Sequence, residues 1–121
     1  MLGRWQPWHK GHTELFKQAL KLSGQVCIMF RDVSGVDAGI EGQSDNPFEF
    51  DIVKERIIKA LKLEGFEYEK QYIIIKVPNI TDISYGRGVG YTFTEHDLGK
   101  EIHEISATKI RREMRDNNEL D

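Results

Sequence analysis

Two histidines three positions apart, His9 and His12, stand with Gly11 in the segment Gly3–His12, GRWQPWHKGH. An imidazole can donate a hydrogen bond, carry a proton or ligate a metal. The metal reading lacks support nearby, because no cysteine or carboxylate set stands at the usual zinc spacing. An anion site suits the residues better. Gly11 has no side chain, so a phosphate could approach the backbone closely there. Where a helix starts, its first amides point outward unpaired and its dipole favours negative charge. Two imidazoles added to that corner make a cradle for a triphosphate. The plainer alternative is two surface histidines in a turn.

A second anion site is offered near the other end by Ile105–Met114, ISATKIRREM. Ser106 is a good N-cap, which would leave the amides of Ala107, Thr108 and Lys109 at the head of a helix. Thr108 adds a hydroxyl, and Lys109 and Arg111 add charge. The alternative is an ordinary capped amphipathic helix with Ile105, Ile110 and Met114 inward and its basic residues solvated.

Both segments need elements to position them. The chain has 121 residues and a formal charge of −3, which suits one soluble domain and argues against a general nucleic-acid binder. No apolar run approaches the ~18 residues of a membrane span, and no signal-peptide pattern opens the chain, so a cytoplasmic protein is expected. The single cysteine, Cys27, is expected to be a buried, inert thiol within VCIMF. Helical spacing of Leu15, Phe16, Ala19 and Leu20 predicts a helix over Thr13–Leu22, stopped by Gly24. Gln25–Arg31 reads as a buried parallel strand and is followed by a polar, glycine-containing loop over Asp32–Asp45. Asn46 as N-cap, Pro47 at the first helical position and Glu49 closing a capping box predict a second helix. It should bury Phe50, Val53, Ile57, Ile58 and Leu61 and end at Gly65. Gln71–Val77 is the next strand, and Ile80–Gly86 and Tyr91–Asp97 are shorter strand candidates. Alternating strands and helices predict an α/β domain with a parallel sheet spanning residues 1–121, whose ligands bind beyond the C-terminal strand ends.

Together the two segments resemble the signatures of the HIGH-type nucleotidylyltransferase superfamily, HxGH near the N-terminus and ISxTxIR near the C-terminus. GRWQPWHKGH looks like the GRFQPxHxGH of archaeal-type and bifunctional nicotinamide mononucleotide adenylyltransferases, and Asn46–Phe50, NPFEF, resembles the NPF-containing helix start of that branch. The resemblance implies a single Rossmann-like, doubly wound parallel sheet. Its first strand would be central but very short here, since only Met1 and Leu2 precede Gly3. The stretch Tyr85–Tyr91 stands where relatives carry a longer helix. There Gly86, Gly88 and Gly90, with Arg87 as an anion contact, could let the backbone approach a ligand or could form a tight hairpin.

The implied reaction moves a nucleoside monophosphate from a nucleoside triphosphate to a phosphate-bearing acceptor and releases pyrophosphate. ATP is expected over CTP, because the block before the histidines is not the GTFD common in cytidylyltransferases. An acceptor phosphate is already largely ionised at pH 7, so positioning and charge neutralisation remain. The resemblance implies His12 on the α-phosphate with His9 beside it, and Arg111, Ser106, Ala107, Thr108 and Lys109 toward the β- and γ-phosphates. It also implies nucleotide contacts at Gly3, Arg4, Trp5, Lys10 and Gly11, and acceptor contacts at Trp8, Asp32 and Arg87. Trp5 and Trp8 could wall the acceptor site or serve the core and rim. His96 and His103 read as structural or solvated. Magnesium is expected to enter with the triphosphate, with no protein metal site and Asp32 at most a water-mediated ligand. The implied partners are small molecules rather than nucleic acid or membrane, and a homo-oligomer stays open. A nucleotide-binding module without turnover is the rival from another class.

Overall fold

The computed structural model describes residues 1–33, 46–87, 90, 92–103 and 105–119, excepting the side chains of Lys100 and His103. The elements are β1 (Leu2–Gly3), α1 (Lys10–Ser23), β2 (Val26–Arg31), α2 (Phe50–Leu63), β3 (Tyr72–Val77), α3 (Lys100–His103) and α4 (Ala107–Asp116). Most of the Asp32–Asp45 loop, together with Gly88 and Tyr91, lies outside the described residues.

An α/β architecture with a parallel sheet is observed. β1, β2 and β3 form a three-stranded sheet in that order, with Leu2 opposite Met29, Gly3 opposite Phe30, and Val26 to Arg31 opposite Tyr72 to Val77. The expected central position of β1 is not seen among the described residues, where it is an edge. The strand candidate Ile80–Gly86 and the described part of Tyr91–Asp97 are not strands either. A two-residue β1 offers little ladder for a further strand to extend. Local bonds hold part of the chain instead: the Ile80 amide donates to the Pro78 carbonyl at 2.7 Å, and Ser84 Oγ donates to Asp82 Oδ2 at 2.7 Å.

Strand alternation sets the core. Val26, Ile28 and Phe30 of β2 and Tyr72 and Ile74 of β3 are buried against Phe16 of α1 and Val53, Ile57 and Leu61 of α2. The opposite face is less covered: Ile73 and Ile75 are exposed, and Cys27 and Met29 are half-buried. Cys27 is thus half-buried rather than buried, because period-two alternation turns it away from the core. The helix stops are as the sequence predicts, with Gly24 and Gly65 at positive φ (80° and 90°), a conformation that glycine adopts readily.

The start of α2 differs from expectation. Its N-cap is Glu49, without a side-chain cap bond, and not Asn46. Asn46 Oδ1 accepts from Arg4 Nη1 at 3.3 Å, and the Phe48 backbone bonds to Gln6. Tertiary partners have taken the groups that local capping would have used. Among the described residues no helix is long and apolar enough to cross a membrane.

Candidate functional site

α1 begins at the histidine motif itself. His9 is its N-cap, extended at φ −139° and ψ 179°. Its Nδ1 accepts from the Gly11 amide at 3.0 Å, and its own amide donates to Nδ1 of His12 at 3.2 Å. Two imidazoles thus do reciprocally what a serine and a glutamate do in a capping box. The rings stack with centroids 3.7 Å apart and planes 20° apart. A Cβ at Gly11 would lie 2.8 Å from Cε1 of His9, so this closure needs glycine. The sequence suggested that the space beside Gly11 would admit a phosphate. The His9 ring fills it instead, and the Gly11 amide is already paired. The rings themselves add donors at this corner.

Because both Nδ1 atoms accept, the hydrogen-bond pattern assigns the proton of each neutral imidazole to Nε2. Burial, with His9 adding to it, pushes His12 down from the ordinary 6.5 to about 3, and burial lowers His9 as well. At neutral pH the pair presents two uncharged N–H donors. Trp5 stands edge-on to His12 at 4.8 Å and Trp8 lies 5.4 Å from it, which keeps water from that side. Both indoles are core residues, 5% and 8% exposed. Trp8 Nε1 donates to Thr13 Oγ1 at 2.9 Å and Trp5 Nε1 to the Met29 carbonyl at 3.2 Å. Of the two roles open to them from sequence, they occupy the core one. Trp5 has φ +54°, an uncommon conformation for a bulky residue, which its packing and indole bond hold in place. A Cβ at Gly3 would lie 2.8 Å from the Trp5 ring, so Gly3 makes room for that indole.

The depressed basicity of His12 links stability to pH. The unfolded imidazole takes up its proton near 6.5, whereas the folded one resists until about 3. Stability from a neutral His12 is therefore fully present above pH 6.5 and is lost as pH falls through that window. Urea denaturation at pH 7 and pH 4.5 should show wild type losing roughly 2 kcal/mol more than His12→Gln on acidification. Equal losses in the two proteins would show that His12 is not held neutral.

His9, Gly11 and His12 line a cavity of about 460 Å³, shared with Thr94, His96 and Ile105. His96 was expected to be structural or solvated. It reaches this cavity on a coil segment whose course no periodicity encodes. His103 has its side chain outside what the structure describes. Ile105 brings the second motif to the same cavity. Ser106 caps α4, its Oγ accepting from the Lys109 amide at 3.4 Å. By helix geometry the first-turn amides of Ala107 and Thr108 have no partner within the helix. Thr108 and Lys109 are exposed, as is Lys10. Arg111 is different. It is 4% exposed, its Nη1 donates to the Gln6 carbonyl at 2.7 Å, and its Nη2 donates to Thr108 Oγ1 at 3.4 Å. The guanidinium expected on a triphosphate instead ties α4 to the N-terminal motif.

A second cavity of about 560 Å³ lies at the C-terminal ends of β2 and β3, lined by Gln6, Asp32, Asn46, Phe48, Phe50 and Lys76 among others. Asp32 pairs there with Lys76 at 3.6 Å. Arg87 is exposed and is not among the residues lining either cavity. Among the described residues no three His, Cys, Asp or Glu side chains are grouped so as to hold a metal ion. No protein-family profile, curated protein or solved structure matches the chain.

Proposed function

We propose that this chain is a Rossmann-like nucleotidylyltransferase domain of the HIGH type that transfers AMP from ATP to a phosphate-bearing small molecule and releases pyrophosphate. The observation that carries the reading is the meeting of its two motifs. Ile105 lines the cavity that holds His9 and His12, and Arg111 bonds directly to Gln6, 105 positions away in sequence. A histidine pair in a surface turn, or a solvated amphipathic helix, would have no reason to converge in this way.

In this reading the ionised acceptor phosphate attacks the α-phosphorus in line as the bond to the β-phosphate bridge breaks. Nε2–H donors of His12 and His9 stabilise charge on the α-phosphoryl oxygens without transferring a proton. Thr108, Lys109 and the first-turn amides of α4 hold the β- and γ-phosphates. Arg111 acts by holding the loop that carries the histidines. The acceptor takes the cavity beside Asp32, and magnesium arrives on the triphosphate as part of the substrate.

The test is a pyrophosphate-release screen of ATP and CTP, with magnesium, against phosphomonoesters including nicotinamide mononucleotide. ATP should turn over and should bind more tightly than CTP at matched magnesium. Pyrophosphate release with CTP alone would overturn the adenylyl assignment and leave the histidine roles standing. Nucleotide binding without release under every acceptor would instead favour a binding module.

A further inference from the structure

Gln6 is 3% exposed, an uncommon place for a glutamine. Its side-chain amide is engaged at both ends. Oε1 accepts from the Phe48 amide at 2.9 Å, while Nε2 donates to the Phe48 carbonyl at 2.9 Å and to the Arg4 carbonyl at 3.2 Å. This exchange with Phe48 imitates, with a side chain, the two bonds that opposed residues make across antiparallel strands. It satisfies buried backbone groups that lie outside any sheet ladder. The Gln6 main-chain carbonyl accepts from Arg111. One residue thus joins the histidine loop, the Asn46–Phe50 segment and α4.

Gln6 also stands between the two cavities. It lines the one beside Asp32, and through Arg111 it is bonded to the helix that follows Ile105 of the other. We propose that Gln6 is a positioning residue, whose amide sets the Asn46–Phe50 wall of the larger cavity in register with the histidine pair. It thereby sets the acceptor relative to the nucleotide. This consequence for the acceptor rests on the function proposed above, whereas the mechanical role does not.

Gln6→Met keeps the length of the side chain but cannot exchange hydrogen bonds with Phe48. Gln6→Glu keeps an acceptor for the Phe48 amide but loses the donor to the Phe48 and Arg4 carbonyls. In amide hydrogen exchange on the free chain, the Phe48 amide of Gln6→Met should exchange at least about tenfold faster, with Gly11 and α1 unchanged. The Glu variant should fall between Met and wild type, and it serves alone if the Met variant does not fold. Unchanged exchange at Phe48, or uniform acceleration through α1, would overturn the positioning role. In turnover, Gln6→Met should raise the acceptor KM by about tenfold or more while the ATP Kd stays within about threefold. A freed Phe48 amide with an unchanged acceptor KM would also overturn the proposal. If wild type neither binds ATP nor releases pyrophosphate, the proposed function fails, and the exchange measurement still decides what Gln6 does.

Discussion

Replacing His12 with alanine is expected to lower the rate of pyrophosphate release by on the order of 100- to 1,000-fold, with ATP affinity changed far less. The scale follows from what the residue presents. His12 is neutral, its Nδ1 is held by the His9 amide, and its ring is fixed between His9 and the two indoles. A donor fixed in this way needs no reorganisation as charge develops on the α-phosphoryl group. In the proposed reaction such a donor acts more on the transition state than on the bound triphosphate, which α4 would also hold. His12→Asn, which keeps an N–H donor on a shorter arm, should recover part of the lost rate. A His12→Ala protein that melts near the wild-type temperature and turns over within about threefold of it would remove His12 from the mechanism. A folded variant that loses affinity and rate equally would make His12 a binding group only.

The two motifs of the candidate site were more legible in the sequence than the way they are built. His9 and His12 were legible as a pair at the turn into a helix. That helix was expected to start at Thr13, whereas it starts at Lys10 with His9 as its N-cap and His12 at its third position. Their reciprocal capping was not legible, because histidine is not among the usual capping residues. Gly11 was legible as a place needing a missing side chain, whereas nothing in the sequence marked Gly3 as one. The groups that fill those spaces are the Trp5 and His9 rings, and ring placement depends on packing that spacing does not encode. The apolar runs of β2 and β3 were clear from their β-branched and aromatic content. The candidate Ile80–Gly86 and the described part of Tyr91–Asp97 are not strands, because a strand needs a neighbour and neighbours are set by the whole sheet. Gln6 went unnoticed for a similar reason. Its distant partners are Phe48 and Arg111, and nothing local in GRWQPWHKGH requires them.

Arg111→Ala should produce the largest loss of stability of any single substitution considered. The family resemblance implied this arginine on the β- and γ-phosphates, where its removal would weaken triphosphate binding more than monophosphate binding. Its observed burial and its 2.7 Å bond to the Gln6 carbonyl change that expectation. Alanine removes a charge-assisted bond worth about 1.5–3 kcal/mol and leaves a buried carbonyl unpaired at a further cost of about 1–3 kcal/mol. A loss of roughly 3–5 kcal/mol corresponds to a fall in Tm on the order of 10–20 °C for a domain of this size. Lysine should not restore it, because one ammonium cannot bond Gln6 and Thr108 with the fork of a guanidinium. At a temperature where the variant stays folded, calorimetry should show AMP and ATP losing affinity by similar factors, since Arg111 acts through the loop carrying the histidines. A Tm within about 3 °C of wild type, on that same scale, together with a selective loss of triphosphate and pyrophosphate binding, would return Arg111 to the phosphates. The bond to Gln6 would then be a resting contact that the nucleotide displaces.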